Sequence, residues 1–325
     1  MTSRTTYRIP LRPIAGDRFQ PTGFPDLGPA EFSSWDPQLK DWVPALHVES
    51  PQSMANRLEA TTWDEVAQDQ PDVLDGLPFV RVVRGADAEF VTSSRREAHR
   101  LASAYIMNAT TDSGEAGRAW LAAELGAEKG DPANRYDRVY RAICALDPLS
   151  LVHGVFFAQK EFSWQPKVAR VVTSFIDAVN VRPAHSGGVK TDVVRTTTEE
   201  GKASAEGYGM VPHQRLEFTA AEITGYVTID HEQVRSFGLG EEGTELVEAL
   251  AAYEIATLFS GGLRLRTACD FVAEREGITV TTDAGREMGQ LPVAAEAAER
   301  LRAAIAGARA VGLLGEVTTL REPGK

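Results

Sequence analysis

With 325 residues, 43% of them apolar, the chain can bury a sizeable core as one large domain or two modest ones. The 25% share of charged residues is that of an ordinary globular protein and excludes a disordered one. A formal net charge of −12 excludes a uniformly basic nucleic-acid-binding surface, because a phosphate backbone is held by Lys and Arg that displace its counterions. A basic groove on an acidic body stays open.

The N-terminal MTSRTTYRIPLRP has none of the apolar run of a signal peptide. Its first 18 residues carry Arg4, Arg8, Arg12 and Arg18 against Asp17, a local balance of +3. Prolines at 21, 25, 29, 37 and 44 forbid a regular helix over 16–45 and disfavour a central strand, so an ordered, extended loop is expected there. Its aromatics Phe19, Phe24, Phe32, Trp35 and Trp42 either fold back as anchors or stack on bases. Ala45–Val48 reads as a short strand. Ser50 then suits an N-cap and Pro51 a first helical position, where its missing N–H costs nothing, so a helix is expected over 51–60. At 100° per residue Pro51, Met54, Ala55 and Leu58 fall on one side. Gln52, Ser53, Asn56 and Arg57 fall on the other. Solvated faces more often carry Glu and Lys, so this amide-rich stripe is either a capped solvent face or a binding surface.

Residues 77–83 and 88–92 read as a strand pair, and Ser94 with Glu97 as a capping box opening a helix through about Tyr105. Residues 108–147, with helical stretches near 115–126 and 134–145, read as an inserted helical lobe. LSLVHGVFFA (149–158) reads as an apolar strand holding His153 as a satisfied core histidine. A helix near 166–179 is expected to lead into VRPAHSGGVK (181–190), a glycine-containing loop with positive ends. Across 160–195, Lys160, Lys167, Arg170, Arg182, Lys190 and Arg195 face Glu161, Asp177 and Asp192, again +3. Residues 193–212 are expected to form a flexible hairpin or loop, being small, polar and aperiodic from 196 to 210. Strand material follows at 216–229, then a helix from about Thr244 to Phe259 stopped by Gly261-Gly262. Leu263–Thr267 alternates as a strand that Ile278–Thr282 can pair with, and a last helix spans about 293–309. Strands and helices mixed without regular alternation indicate an α+β fold.

There is no GxxxxGK[ST], GxSxG or HExxH, and no GxGxxG after a strand, so the usual phosphate-loop, hydrolase and dinucleotide signatures are missing. The six histidines form no pair at ligand spacing, and the two cysteines, Cys144 and Cys269, lie far apart. No metal, cofactor or disulfide is expected, and a reducing cytoplasm suits the chain. No stretch approaches the ~18 apolar residues of a membrane span. Three constellations suit RNA. Arg264 and Arg266, as alternate strand residues, would share a face about 6.6–6.8 Å apart, a spacing close to that of successive phosphates, unless they are simply solvated. Gly187, Gly188 and Lys190 suit a phosphate contact, glycines admitting main-chain N–H groups to an anion, though a plain surface turn looks the same. His213 and Arg215, beside a loop, suit RNA contact or general acid–base cleavage.

Six blocks stand in order here: FQPTGFPDLG (19–28), ESPQSMANRLE (49–59), SLVHGVFFA (150–158), VRPAHSGGVKTD (181–192), GYGMVPHQRLEFTAAEIT (207–224) and GGLRLRTACD (261–270). Together they resemble the backbone subunit of type I-G (formerly I-U) CRISPR-Cas effector complexes, in the RAMP superfamily. The resemblance implies an RRM-like (ferredoxin-like) palm, forming a single domain over 1–325 with a helical insertion and a protruding hairpin. It implies a non-catalytic subunit that stacks on other copies of itself, head to tail, along a CRISPR RNA. The guide then pairs with target DNA, with other effector subunits as partners and no membrane. Gln52, Ser53, Asn56 and Arg57 then become RNA-facing, touching phosphate or ribose. The alternatives are an RNA-cleaving endoribonuclease, using His213 or an aspartate such as Asp192 or Asp112, and an unrelated metabolic α+β enzyme.

Overall fold

A computed structural model describes residues 2–24, 27–128, 134–190 and 211–323. The largest element is a nine-stranded sheet. Its first strand, β1 (Arg4–Pro13), buries Ile9 and Leu11, two residues apart as a pleated strand requires. Next come β2 (Glu31–Asp36) and β3 (Asp41–Glu49), paired antiparallel as an edge hairpin. The expectation of a strandless loop over 16–45 is corrected here. Pro44 sits opposite Ser33, and β3 meets its inner neighbour only from Ala45 onward, so the missing N–H faces no ladder. α1 (Pro51–Ala60) follows, its N-terminus capped by the Ser50 hydroxyl, which accepts from the Ser53 N–H at 3.2 Å.

A smaller sheet holds β4 (Val80–Arg84) and β5 (Glu89–Ser93). No helix opens at Ser94. The Glu97 carboxylate instead accepts from the hydroxyls of Thr92 and Ser103, at 2.7 and 2.8 Å. Ser103 then caps the short α2 (Ala104–Asn108). The chain continues through α3 (Gly117–Leu125) and α4 (Tyr136–Leu146). Their buried residues, Leu121, Leu125, Val139 and Ile143, belong to the same core cluster as Ile9 and Met54. Leu149–His153 forms a short helix, α5, where a strand was expected; only Val155–Phe156 beyond it is extended, pairing with Lys167–Val168.

The second large correction is β6 (Val172–Lys190), which replaces both the expected helix near 166–179 and the expected loop at 181–190. Val172, Ser174, Ile176 and Ala178 are buried while the residues between them are half-buried, the period of a strand. Val171, Val172, Thr173, Ile176 and Val179 supply the β-branched side chains that favour it. β7 (Val211–Asp230) pairs with β6 antiparallel from Val172 opposite Ile229 to Lys190 opposite Val211. Most of the hairpin expected at 193–212 lies outside the described residues. α6 (His231–Ser236) and the mostly buried α7 (Gly240–Leu258) come next. β8 (Leu263–Arg266) and β9 (Cys269–Ala273) follow, then β10 (Thr279–Thr282) and β11 (Gly285–Met288). β8 pairs with β9, whereas β10, expected beside β8, pairs with β1 and β11. Last are α8 (Ala294–Ala310), packed on α7, and β12 (Thr318–Arg321), parallel to β4.

The large sheet runs β8-β9-β1-β7-β6-β3-β2, with β10 also on β1. α1 packs against β6 and α7. Beneath α1 lies a buried ionic network. Glu59 accepts from Arg100 at 2.5 and 2.9 Å, and Arg100 also donates to the Gly154 carbonyl at 2.9 Å. Arg95 lies 3.3 Å from Asp147, and His153 Nε2 lies 2.9 Å from Glu254 on α7. These pairs tie α1, the 95–100 turn, α5 and α7 together. His153 is thus buried and partnered, as the core reading required.

Candidate nucleic-acid interface

On α1 the apolar positions Met54, Ala55 and Leu58 are buried, whereas Gln52 and Asn56 are exposed and Ser53 and Arg57 half-buried. The two faces therefore separate as the 3.6-residue period dictates. The polar face is not uniform, however. Arg57 is turned inward: its guanidinium donates to the carbonyls of Arg264, at 3.2 Å, and Leu265, and lies 3.5 Å from Glu49. Glu49, 1% exposed at the end of β3, also pairs with Arg266. Arg266 further donates to the Gln20 carbonyl at 3.1 Å, the Val48 carbonyl at 3.3 Å and the Cys269 sulfur at 3.2 Å. Burial pushes the Cys269 thiol up to about 12, so it stays protonated.

Arg57 and Arg266 are thus structural clamps before they are anything else, joining α1 and β8 to the β3 terminus through one buried carboxylate. Two arginines around one carboxylate still leave a positive balance. Sequence spacing cannot reveal Glu49 as the hub, because its partners stand 8 and 217 residues away. Of Arg264 and Arg266, only Arg264 is exposed: the β8–β9 register shifts between them, and Arg266 is half-buried on Glu49. Arg264 carries a guanidinium with no partner among the described residues, directly beside α1. What the fold assembles here is an exposed strip of two amides, Gln52 and Asn56, next to one free guanidinium.

Farther along the sheet, β6 and β7 lose their neighbours. β3 stops pairing at Val179, and β1 reaches β7 only from Ile223 onward. Asn180, at the end of β3's pairing, takes φ 53°, a conformation Asn tolerates better than most side chains. The nine residues from Arg182 to Lys190 continue with β7 as a ribbon, about 30 Å long at ~3.3 Å per residue. Near its base Phe19 bridges to Phe218, and Arg18 lies 3.2 Å from Glu217. The ribbon places Gly187 opposite Gln214, Gly188 opposite His213, and Ser186 opposite Arg215. Two groups that read as separate loops, Gly187–Lys190 and His213–Arg215, are therefore neighbours on one hairpin. Gly187 and Gly188 stand in a strand ladder, not in the anion-cradling loop expected of them.

The basic N-terminus is neutralised by the fold. Arg4 pairs with Asp230, Arg8 with Glu222, Arg12 with Glu274 and Arg18 with Glu217. Such exposed pairs contribute about 0–1 kcal/mol each, but they take the +3 of this segment out of play for a phosphate partner. Of the proline-rich segment's aromatics, Phe19 is a buried anchor against Phe271, while Trp35 and Trp42 face each other edge-on at 5.6 Å, exposed on the β2–β3 hairpin. Asp112, a candidate for cleavage, is held by Arg321 at 2.7 Å; Asp192 lies outside the described residues. No group of three or more His, Cys, Asp or Glu able to hold a metal ion occurs among the described residues. Nor, among them, is any helix long and apolar enough to cross a membrane.

The family of CRISPR-associated protein GSU0053 matches residues 6–183. Among solved structures, a chain of a CRISPR RNA-guided surveillance complex in a pre-nicking state is similar, at 11% identity and a TM-score of 0.41, over 85% of this chain and 75% of that one. No curated protein matches. With more than half of its 325 residues matched, from β1 into the β6–β7 hairpin, the chain belongs to the CRISPR-associated protein GSU0053 family.

Proposed function

We propose that this chain is a non-catalytic, guide-RNA-binding backbone subunit of a type I-G CRISPR effector. On this reading β1, α1, β6, β7, α7 and the β8–β9 edge form an RRM-like palm, in the spatial order β9-β1-β7-β6 with two helices between strands. The β6–β7 ribbon is its protruding hairpin, and copies stack head to tail along the guide, leaving its bases to pair with target DNA. Membership in a CRISPR-associated family and the exposed Gln52–Asn56–Arg264 strip support this reading. Neutral amides suit ribose hydroxyls and phosphate oxygens, and Arg264 supplies a guanidinium that makes no ion pair among the described residues. Gly187, Gly188, Lys190, His213 and Arg215 fall together on the hairpin, where they would reach the RNA beyond the palm. Arg57 and Arg266 act behind this surface, holding α1 and β8 at a fixed distance.

Co-expression with a CRISPR array tests the proposal. Wild-type chain should elute as a large assembly with protected RNA and a strong 260 nm signal. Gln52→Ala/Asn56→Ala/Arg264→Ala should lose most of that RNA while keeping its melting temperature. A nucleic-acid-free monomer at low salt for the wild type refutes the scaffold; cleavage of labelled RNA by the purified chain refutes its non-catalytic character.

A further inference from the structure

The family and the guide-facing strip leave another part of the molecule unassigned, and its charge is opposite to that of the chain as a whole. Between 134 and 170 there are six cations and three carboxylates, on a chain of net charge −12. All three carboxylates are already held: Asp137 by Arg135 at 2.6 Å, Glu161 by Arg118 at 3.3 Å, and Asp147 beside Arg95 in the core. Of the six cations, Arg135 is taken by Asp137 and Arg138 donates to the Ala123 carbonyl at 3.0 Å, which leaves four. Arg141, Lys160 and Lys167 are exposed and Arg170 half-buried, and none has a hydrogen-bond or ion-pair partner among the described residues.

Aromatic rings join α4 to the loop that follows α5. Tyr136, at the start of α4, meets Trp164 edge-on at 4.8 Å, joining the helix to the 158–166 loop. That loop is closed on itself, Phe157 N–H donating to the Pro166 carbonyl and Gln165 donating to the Ala158 carbonyl. Lys167 stands directly across from Phe156, a residue 49% exposed. Tyr136 is also exposed. Unopposed cations beside exposed aromatic residues suit a strand that offers phosphates to the cations and unstacked bases to the rings. A duplex satisfies the charges but hides its base faces, whereas a single strand offers both phosphates and unstacked bases.

We propose that α4 and the 156–170 segment form a second nucleic-acid surface, distinct from the guide-facing strip, that takes a single strand of DNA or RNA by phosphate contact and base stacking. It goes beyond the guide-binding reading and stands on its own observations. The test uses the full-length chain and fluorescein-labelled oligothymidylate and oligouridylate of about 20 nucleotides, with a matched duplex, read by anisotropy at about 50 and 200 mM salt. Arg141→Glu/Lys160→Glu/Lys167→Glu should weaken single-strand binding at least about tenfold and flatten the salt slope by about 2, since each lost phosphate contact removes roughly 0.7. Phe156→Ala should weaken binding without changing the slope. Comparable loss for DNA and RNA is expected; a strong preference for one names the strand. The proposal is overturned if the charge-reversed chain binds as wild type, or if only duplex binding falls. Guide RNA copurification separates the two surfaces: the charge-reversed chain should keep its guide, and loss of both activities together means one site, not two.

Discussion

Replacing Glu254 by Gln should remove a pH dependence of stability that the buried network imposes. His153 and Glu254 are both fully buried, with Nε2 at 2.9 and 3.0 Å from the two carboxylate oxygens. Around them stand Glu59 and Asp147 as further carboxylates, and Arg95 and Arg100 as cations. An imidazolium on His153 would face the Glu254 carboxylate directly, within hydrogen-bonding distance of both of its oxygens. Burial alone would lower the His153 pKa, but Glu254 and Glu59 outweigh burial and hold it above its ordinary 6.5. Nδ1, without a partner among the described residues, carries the second proton.

The folded state therefore binds this proton more tightly than the unfolded chain does. The resulting stability is complete below about pH 6.5 and is lost as pH rises through the folded-state value above it. Removing one member of a fully buried ion pair costs about 3–5 kcal/mol. Glu254→Gln should lose about that much near pH 6 and less at higher pH, where the wild type has already lost its share. Urea unfolding of both chains from pH 6 to 9 checks this. Parallel stability curves, or a wild type that gains stability above pH 7, would refute the reasoning.

Other consequences can be measured with the same unfolding assay. Ser50→Ala removes the α1 cap and should cost about 1 kcal/mol, with Ser50→Asp restoring most of it. Gly154→Ala should cost at least about 1–3 kcal/mol: Gly154 sits at φ 78°, and an added Cβ would lie 2.7 Å from the Val168 carbonyl oxygen. Arg266→Ala should destabilise by about 1–3 kcal/mol, because Glu49 stays buried with only Arg57 nearby, and so should lower RNA binding indirectly; Arg264→Ala should weaken RNA binding with no loss of stability. Burial pushes the thiols of Cys144 and Cys269 up to about 12, so alkylation by iodoacetamide at neutral pH should track unfolding and not precede it.

How far the amino-acid order alone determined this protein is clearest at α1. Ser50, Pro51 and the spacing of Met54, Ala55 and Leu58 specify a capped amphipathic helix by local chemistry, and the structure has it with those ends. α3, α4, α7 and α8 were legible as helical stretches, though without a capping side chain to fix where they begin. Strands were less so. Val172–Val179 reads as helix or strand until β7 and β3 lie on either side of it, since short apolar runs are decided by pairing partners and not by their own period. Leu149–His153 went the other way: an apolar run packed against α4 and α7 is helical, and no strand pairs with it. Pairing across the chain also decided the chemistry. Whether an arginine faces a phosphate or a carboxylate depends on what the fold brings beside it: Glu49 meets Arg57 and Arg266, 8 and 217 residues away, whereas Arg264 has no partner among the described residues.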